Sequence, residues 1–154
     1  MARTPALVAL ERAGIAFEVH EYDHDPAAAS YGLEAAERLG VDPGRVFKTL
    51  VADLDGKPHV AVLPVEAELD LRSLGKRAAL TTPADAERIT GYVVGGISPV
   101  GQRRRLPTLV DESALGWDTI FVSAGRRGLE VELAPTDLLS ATSAKAQRLT
   151  RGAD

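Results

Sequence analysis

The sequence predicts an α+β fold with a mixed, strongly curved, barrel-like β-sheet flanked by helices. Short segments in which apolar and polar residues alternate indicate strands, and segments with a capping residue and a terminal glycine indicate helices. Several predicted strands are joined by hairpin-type turns, so the chain lacks the strict strand–helix alternation of a parallel sheet. The 154 residues fit one domain, which we expect to span residues 1–154.

The first forty residues predict two helices and a strand. Thr4 is a typical N-cap and is followed by proline, which predicts a helix over residues 6–13. Apolar residues then alternate with polar or small ones over residues 15–20, as in a half-buried strand. A second helix is predicted over residues 33–39, because Gly40 follows as a typical helix end.

The middle of the chain predicts a β-hairpin followed by two helices. Residues 46–54 and 59–65 are rich in apolar and β-branched residues, and the Asp-Gly pair at 55–56 favours a tight turn between them. The segment 70–77 opens with an aspartate, which predicts a capped helix. The segment 82–91 begins Thr-Pro-Ala-Asp and ends in glycine, which predicts a second capped helix.

The last part of the chain predicts short strands and a terminal helix. The helix is expected to begin over residues 135–139, with proline at its first position. The polar stretch 142–154 is expected to fray. The strands, bounded by glycine, proline or charged residues, are predicted over residues 92–94, 106–110, 118–123 and 129–133.

Composition excludes several classes of function. No cysteine is present, which excludes disulfides, cysteine-ligated metal centres and a cysteine nucleophile. No apolar run approaches the ~18 residues of a membrane span. We therefore expect a soluble, cytoplasmic protein without a membrane partner. The net charge of −4 argues against a dedicated nucleic-acid binder, and against DNA as a partner, because such proteins carry excess positive charge.

Lys48 is the first candidate for a functional side chain. On the predicted strand 46–54 it shares a face with Val46, Leu50 and Ala52, which is the more apolar of the two faces. An ammonium group is costly to bury without a partner. Lys48 therefore either reaches water near the strand end or stands at the mouth of a pocket, where it binds an anion or polarises a carbonyl group.

Two other patterns are weaker. His20 and His24 suggest a metal site, but residues four apart on a strand lie about 13 Å from each other, and Pro26 disfavours a helix there. We therefore expect a turn in this region and no metal. Serine, histidine and aspartate residues are present, but no serine lies in a nucleophile-elbow pattern, so a serine nucleophile is not favoured.

A glycine-rich loop and two arginine clusters are candidate anion contacts. The loop reads GGISPVG at 95–101, and successive N–H groups in such a loop can hold an oxyanion, although a plain tight connection has the same composition. It fits neither a Walker sequence nor a dinucleotide fingerprint. The clusters, which either grip phosphates or form solvated turns, are Arg103-Arg104-Arg105 and Arg126-Arg127.

Three segments together resemble a known family. They read FKTL at 47–50, GYVVGGISPVGQ at 91–102 and VSAGRRGLE at 122–130. With Thr-Pro-Ala at 4–6 and the segment 20–32, they resemble the YbaK/EbsC family, the stand-alone relatives of the prolyl-tRNA synthetase editing domain. The best match is the Cys-tRNA(Pro) deacylase branch. The resemblance covers about residues 3–140 and implies the fold of that family.

The resemblance implies an aminoacyl-tRNA deacylase that needs no cofactor and edits in trans. Its implied substrate is mischarged Cys-tRNA(Pro), with Cys-tRNA(Cys) as a further candidate, and its implied partners are the mischarged tRNA and, transiently, prolyl-tRNA synthetase. The thiol of the substrate is implied to attack its own ester carbonyl and to leave as a thiolactone. Two alternatives stay open: deacylation of Ala- or Ser-tRNA, and a non-catalytic module that binds a synthetase or RNA.

The resemblance also implies roles for individual residues. Lys48 corresponds to the essential lysine of the family and is expected to orient the aminoacyl group or the terminal adenosine. The tRNA phosphates are expected to contact Arg103, Arg104, Arg105, Arg126 and Arg127. The implied substrate-binding residues are Tyr22, Tyr31, Thr49, Gly95, Gly96, Ile97, Ser98, Pro99 and Ser123.

Overall fold

Helices pack around two β-sheets in the computed structural model, which describes residues 3–151. The helices are α1 (Pro5–Arg12), α2 (Tyr31–Leu39), α3 (Pro83–Thr90) and α4 (Pro135–Thr142). The strands are β1 (Glu18–Glu21), β2 (Phe47–Leu54), β3 (Lys57–Pro64), β4 (Ala79–Leu80), β5 (Thr108–Asp111), β6 (Ile120–Arg126), β7 (Leu129–Leu133) and β8 (Lys145–Gln147). None of the helices within this range has the length and apolar character that crossing a bilayer requires.

The strands form two open sheets. The first has the antiparallel order β1-β7-β6, and the second has the order β4-β2-β3-β5-β8. In the second sheet β3, β5 and β8 run parallel, whereas β2 is antiparallel to both of its neighbours. An isolated bridge between Val46 and Phe121 links the two sheets. The predicted α+β class is confirmed, but the single barrel-like sheet is wrong, because closure requires the end strands to pair and neither sheet within residues 3–151 does so.

Local signals position the hairpin and the helix ends as predicted. Asp55 (φ 50°) and Gly56 (φ 82°) both have positive φ, as a two-residue hairpin turn requires, and Leu54 pairs with Lys57. The Thr4 hydroxyl accepts a hydrogen bond from the Leu7 N–H at 3.2 Å and caps α1. Gly40 ends α2 in the left-handed conformation.

Two segments differ from the prediction. Residues 92–94 form no strand, because the chain leaves α3 through left-handed Gly91 and the Tyr92 hydroxyl then donates a hydrogen bond to the Val100 carbonyl at 2.6 Å. The helix expected over 70–77 is only the short 3₁₀ turn Leu71–Ser73, since Gly75 has a φ of 153° that a helix does not accommodate.

The segment after α4 is held by the second sheet, so the fraying predicted for residues 142–154 is wrong as far as residue 151, and residues 152–154 lie outside the described residues. Strand β8 pairs in parallel with β5, and Leu149 is fully buried. The buried Asp111 carboxylate accepts a hydrogen bond from the Leu149 N–H at 2.8 Å. The chain continues to a bridge between Thr150 and Leu69. A buried partner for the backbone therefore outweighs the polar composition of this stretch.

Two apolar clusters cover opposite faces of the first sheet. Val122 and Val131 belong to the large cluster that also contains core residues of the second sheet and of α1. Phe121 belongs to a smaller cluster that includes Ala35 and Ala36 of α2. Because side chains alternate between the faces of a strand, residues adjacent to Val122 and Val131 lie on the α2 side. This second covered face forms part of the candidate site.

Candidate active site

A cavity of about 370 Å³ brings together residues from distant parts of the chain. Its walls come from the start of α2, from β2, from the segment leading into α3, from the loop 95–101 (the glycine loop), and from β6 and β7. Six of the residues predicted to bind or process substrate line it: Tyr31, Lys48, Thr49, Gly95, Ile97 and Ser123. Four others are not among the lining residues: Tyr22, Gly96, Ser98 and Pro99.

Lys48 is half-buried at the cavity and is anchored by one hydrogen bond. Its Nζ donates to the Ala67 carbonyl oxygen at 2.7 Å, in the segment that follows β3. Burial lowers the pKa of the Lys48 ammonium, and the nearby Glu68 carboxylate partly opposes this change. Lys48 lies on the more apolar face of β2, but the residues on the face of Thr49 and Val51 are the more deeply buried ones. Lys48 thus lines the cavity, while its ammonium group is held by the backbone of the segment that follows β3.

Thr49 presents a hydroxyl group without a partner. The residue is 9% exposed and lines the cavity, and among residues 3–151 its Oγ1 has no hydrogen-bond partner. A buried hydroxyl that makes no hydrogen bond costs about 1–3 kcal/mol. A polar group of a bound ligand that reached Oγ1 would remove this cost.

The glycine loop packs so closely against the β6–β7 turn that side chains would not fit. A Cβ on Gly96 would lie 2.7 Å from the Arg126 Cα and 2.8 Å from the Arg127 backbone nitrogen. The Gly96 N–H donates to the Val93 carbonyl at 2.8 Å. Within the described part of the chain, the N–H groups of Gly95, Ile97 and Ser98 have no protein acceptor. The loop therefore carries unused donors on a fixed backbone.

Tyr31 lines the cavity and is stacked on Arg127, which is not among the lining residues. The Arg127 guanidinium lies 4.8 Å from the centre of the Tyr31 ring, and its Nε donates to the Val94 carbonyl at 2.8 Å. A Cβ on Gly95, which has a φ of 90°, would lie 2.9 Å from both side chains. Arg127 was predicted to contact phosphate; in this structure its side chain joins the glycine loop to the start of α2.

Glu130 lines the cavity but is not one of the predicted site residues. It lies on β7 directly opposite Ser123 of β6 and His20 of β1, and only 6% of it is exposed. Burial raises the pKa of Glu130 to about 8. In the sequence Glu130 alternates with the apolar residues Leu129 and Val131, which predicts that its side chain faces solvent. In the structure α2 covers this face of the sheet too, so the side chain is buried.

Comparison with known proteins identifies the family. Residues 25–141 match the sequence model of the aminoacyl-tRNA editing domain. The chain belongs to this family. The membership of the YbaK family predicted from the sequence is therefore confirmed, and with it the general class of aminoacyl-tRNA deacylases.

Similarity extends over nearly the whole of two other editing proteins. EbsC of Enterococcus faecalis, named for a proposed Cys-tRNA(Pro)/Cys-tRNA(Cys) deacylase activity, is 37% identical over 96% of this chain and 93% of its own. A crystal structure described as that of a proposed trans-editing enzyme for prolyl tRNA synthetase superposes with a TM-score of 0.85 at 28% identity, over 99% and 100% of the chains. The multifunctional Ser/Thr-tRNA deacylase ProXp-y of Escherichia coli is 32% identical over 68% of both chains.

Outside the cavity, the editing domain places Tyr22 beneath α2. Its side chain packs against the cluster of Ala35, Val46 and Phe121. Burial raises the pKa of Tyr22 to about 12, and the carboxylates of Glu130 and Glu34 add to this change. Tyr22 thus belongs to the apolar cluster under α2 and lies close to Glu130.

The other arginines of the editing domain lie on its surface. Arg126 forms an exposed ion pair with Glu21 at 3.1 Å. Arg104 and Arg105 line a second cavity of about 230 Å³ between the glycine loop and α1 and α4, and Arg105 donates to the Ser143 hydroxyl at 2.7 Å. The Arg103 side chain lies against Gly91. These side chains do not reach the main cavity.

A group of possible metal ligands lies on β1 and β7. Single ligand atoms of Glu18, His20 and Glu132 approach one another within 4.8 Å. The Arg45 guanidinium, however, is 3.3 Å from the Glu132 carboxylate, and the His20 ring is 2.9 Å from it. These contacts already satisfy the glutamate, so the group is explained as an ion-pair network.

Glu130 is expected to make the stability of the editing domain fall as the pH rises. Below pH 4.5, the ordinary pKa of glutamate, the carboxyl is protonated in the folded and the unfolded state. Between pH 4.5 and about 8 the unfolded state ionises while the folded state holds the proton, which lowers the free energy of unfolding. Relative to Glu130→Gln, the wild type should lose up to about 1.4 kcal/mol per pH unit in this window.

Chemical denaturation of both proteins at pH 5, 6, 7 and 8 measures this difference. Glu37→Gln, which changes an exposed glutamate of α2, serves as the control and should follow the wild type. If the free energies of unfolding of wild type and Glu130→Gln change in parallel with pH, burial does not raise the pKa of Glu130.

Proposed function

We propose that this editing domain cleaves the ester bond of Cys-tRNA(Pro) in trans, with Cys-tRNA(Cys) as a second substrate. The observation that carries the proposal is that Lys48 and the glycine loop line one cavity. An ammonium group and unused backbone N–H donors on a fixed loop can hold an ester carbonyl as negative charge develops on its oxygen. The similarity to EbsC supports cysteine as the amino acid.

The cavity favours a mechanism in which the substrate supplies the nucleophile. Ser30 and Ser123 line it, but no histidine is among its described lining residues, and the Ser123 hydroxyl accepts a hydrogen bond from the Gly125 N–H at 3.2 Å. Among the described residues, each serine hydroxyl accepts a hydrogen bond from a backbone N–H, and neither is hydrogen-bonded to a side chain that could act as its base. In the proposed step, the cysteine thiolate forms a bond to its own carbonyl carbon, the bond to the ribose oxygen breaks, and that oxygen takes up a proton. The products are a thiolactone and uncharged tRNA.

The proposed role of the protein is to orient the acyl group. Well-oriented intramolecular reactions reach effective molarities of about 10⁵ M or more, which is on the order of 7 kcal/mol of the barrier. Lys48 and the loop donors would direct the carbonyl, and the free Thr49 hydroxyl would contact a polar group of the substrate. Ser123 would line the acyl pocket, and Tyr31 would stack on the terminal adenine.

We further propose that the tRNA is bound weakly and through its phosphates. Four exposed arginines are the candidate contacts: Arg103, Arg104, Arg105 and Arg126. The net charge of −4 disfavours tight binding of a polyanion. A transient complex with prolyl-tRNA synthetase would then supply the choice of tRNA. Such editing in trans is useful because a synthetase pocket separates near-isosteric amino acids by only about 1–3 kcal/mol.

A panel of aminoacyl-tRNAs tests the proposal. We expect the purified protein to deacylate Cys-tRNA(Pro) rapidly and to leave Pro-, Ala- and Ser-tRNA(Pro) at their spontaneous rates of hydrolysis. Serine is the sharp comparison, because it differs from cysteine by one atom and its hydroxyl is a much weaker nucleophile.

A second candidate function, deacylation of Ser-tRNA, is favoured by the similarity to ProXp-y. Rapid loss of serine or alanine in the same panel would exclude the thiol mechanism. Binding of tRNA or synthetase with no deacylation of any substrate would instead indicate a non-catalytic module.

A further inference from the structure

Glu130 is a carboxyl group buried at the cavity without a partner among the described side chains. It lines the cavity, and within residues 3–151 its side chain makes no hydrogen bond and no ion pair. Burial is the one cause of the raised pKa of Glu130, so the Lys48 ammonium does not offset the effect of burial on this carboxyl group. Unpaired carboxylates are almost never buried to this degree, because their desolvation costs several kcal/mol.

The titratable groups around Glu130 leave it without a cation. The Tyr22 hydroxyl faces it from the segment after β1, and its own pKa is raised to about 12 partly by this carboxylate. Glu34 of α2 is a second acid on the same side. The ring of His20, the neighbour of Glu130 on β1, is held by Glu132 at 2.9 Å. A positive charge that pairs with Glu130 must therefore arrive with the ligand.

The substrate of the proposed reaction carries such a charge. An aminoacyl ester has an α-amino group one carbon away from the carbonyl that is attacked. We infer that Glu130 binds this α-amino group and so fixes the acyl end of the substrate between itself and Lys48. The inference rests on the proposed function, since it assigns a residue to the substrate of that reaction.

The proton balance of this pairing is simple. Before the substrate binds, burial keeps the carboxyl group mostly protonated at pH values below its raised pKa of about 8. A neutral amine that enters takes up that proton, which leaves a carboxylate–ammonium pair and no net change of charge. An amine that arrives as ammonium instead releases the carboxyl proton to water. In either case a charge-assisted hydrogen bond replaces an unpaired acid in an apolar surrounding.

This pairing gives the cavity a chemical selectivity. An aminoacyl-tRNA whose amino group is free satisfies Glu130, whereas a peptidyl- or N-acylated tRNA offers only a neutral amide and leaves the acid unpaired. When a site buries a hydrogen-bonding group, ligands that lack the matching partner react with a much lower kcat/KM than ligands that have it. Editing would thus be restricted to tRNAs that have not entered peptide synthesis.

The test compares two esters that differ only in the amino group. Cys-tRNA(Pro) and 3-mercaptopropionyl-tRNA(Pro) share the ester and the thiol, and the second lacks the amine. Each rate is divided by the spontaneous hydrolysis rate of the same ester, since the amine also activates the carbonyl. We expect the wild type to prefer Cys-tRNA(Pro) by at least 10-fold, and Glu130→Gln to reduce this preference to less than about 3-fold. Glu37→Gln, at an exposed position, should behave as the wild type.

The outcomes separate this inference from the proposed function. A wild type that cleaves both esters equally, or a folded Glu130→Gln that keeps the full preference, overturns the role of Glu130 and leaves the deacylase intact. A wild type that cleaves neither ester overturns the proposed function. Calorimetric titration with 3′-cysteinylamino-3′-deoxyadenosine and its 3-mercaptopropionyl counterpart then decides the inference by binding alone. If Glu130→Gln does not fold, the wild-type comparison and these two ligands suffice.

Discussion

Replacement of Lys48 by alanine is expected to lower the rate of Cys-tRNA(Pro) deacylation by at least about 100-fold. Removing one electrostatic donor from an active site lowers the rate by about 10²–10³-fold. Among the described residues that line the cavity, Lys48 is the one that carries an ammonium group. The variant should lose little stability, because the Lys48 side chain is half-buried and makes one hydrogen bond, to the Ala67 carbonyl. Such a bond contributes about 1 kcal/mol.

Single-turnover deacylation and thermal unfolding, measured on the same preparation, test the prediction for Lys48. Lys57→Ala, at an exposed position of β3, is the matched control and should retain full activity. Lys48→Arg keeps the charge but changes its geometry, and we expect only partial recovery. A well-folded Lys48→Ala protein with activity within about 3-fold of the wild type would remove Lys48 from the mechanism.

Replacement of Gly96 by alanine should damage both stability and activity. The added Cβ would lie 2.7–2.8 Å from backbone atoms of Arg126 and Arg127, which cannot move aside as a side-chain end could. Overpacking of this kind costs about 1–3 kcal/mol, which lowers the unfolding midpoint by roughly 2–4 °C for each kcal/mol in a chain of this size. Because the loop must then move away from the β6–β7 turn, we expect deacylation to fall at least 10-fold.

Gly116→Ala provides the matched control for Gly96. No heavy atom lies within 4 Å of a Cβ at Gly116, so the same substitution is free of steric conflict there. Circular dichroism melting and the deacylation assay should separate the two variants. If Gly96→Ala melts and reacts like Gly116→Ala, the loop is not held by the contact described above.

Local chemistry explains which elements could be predicted from the sequence. The Thr4 cap, the left-handed Gly40 and the Asp55-Gly56 turn depend on interactions between residues a few positions apart. For that reason α1, α2, α3 and the β2–β3 hairpin were located within a few residues. Short motifs around Lys48 and the glycine loop also identified the family, and these two elements do line one cavity.

Contacts between distant residues decided the rest. Whether the strands form one curved sheet or two open ones depends on which edges meet, and they meet only at the Val46–Phe121 bridge described here. Likewise, the polar segment that forms β8 is ordered because Asp111, 38 positions before Leu149, accepts a hydrogen bond from its backbone. No local pattern records either pairing.

By itself, the sequence determined the helix caps, the hairpin, the family and the lysine that the site is expected to use. Only the tertiary structure decided that Glu130 is buried. Its alternation with Leu129 and Val131 defines two faces of β7 but not what covers them, and α2 with its apolar cluster covers the face that would otherwise meet water. Burial, and with it the charge state of a carboxyl group, is a property of the packed neighbours and not of the strand that carries it.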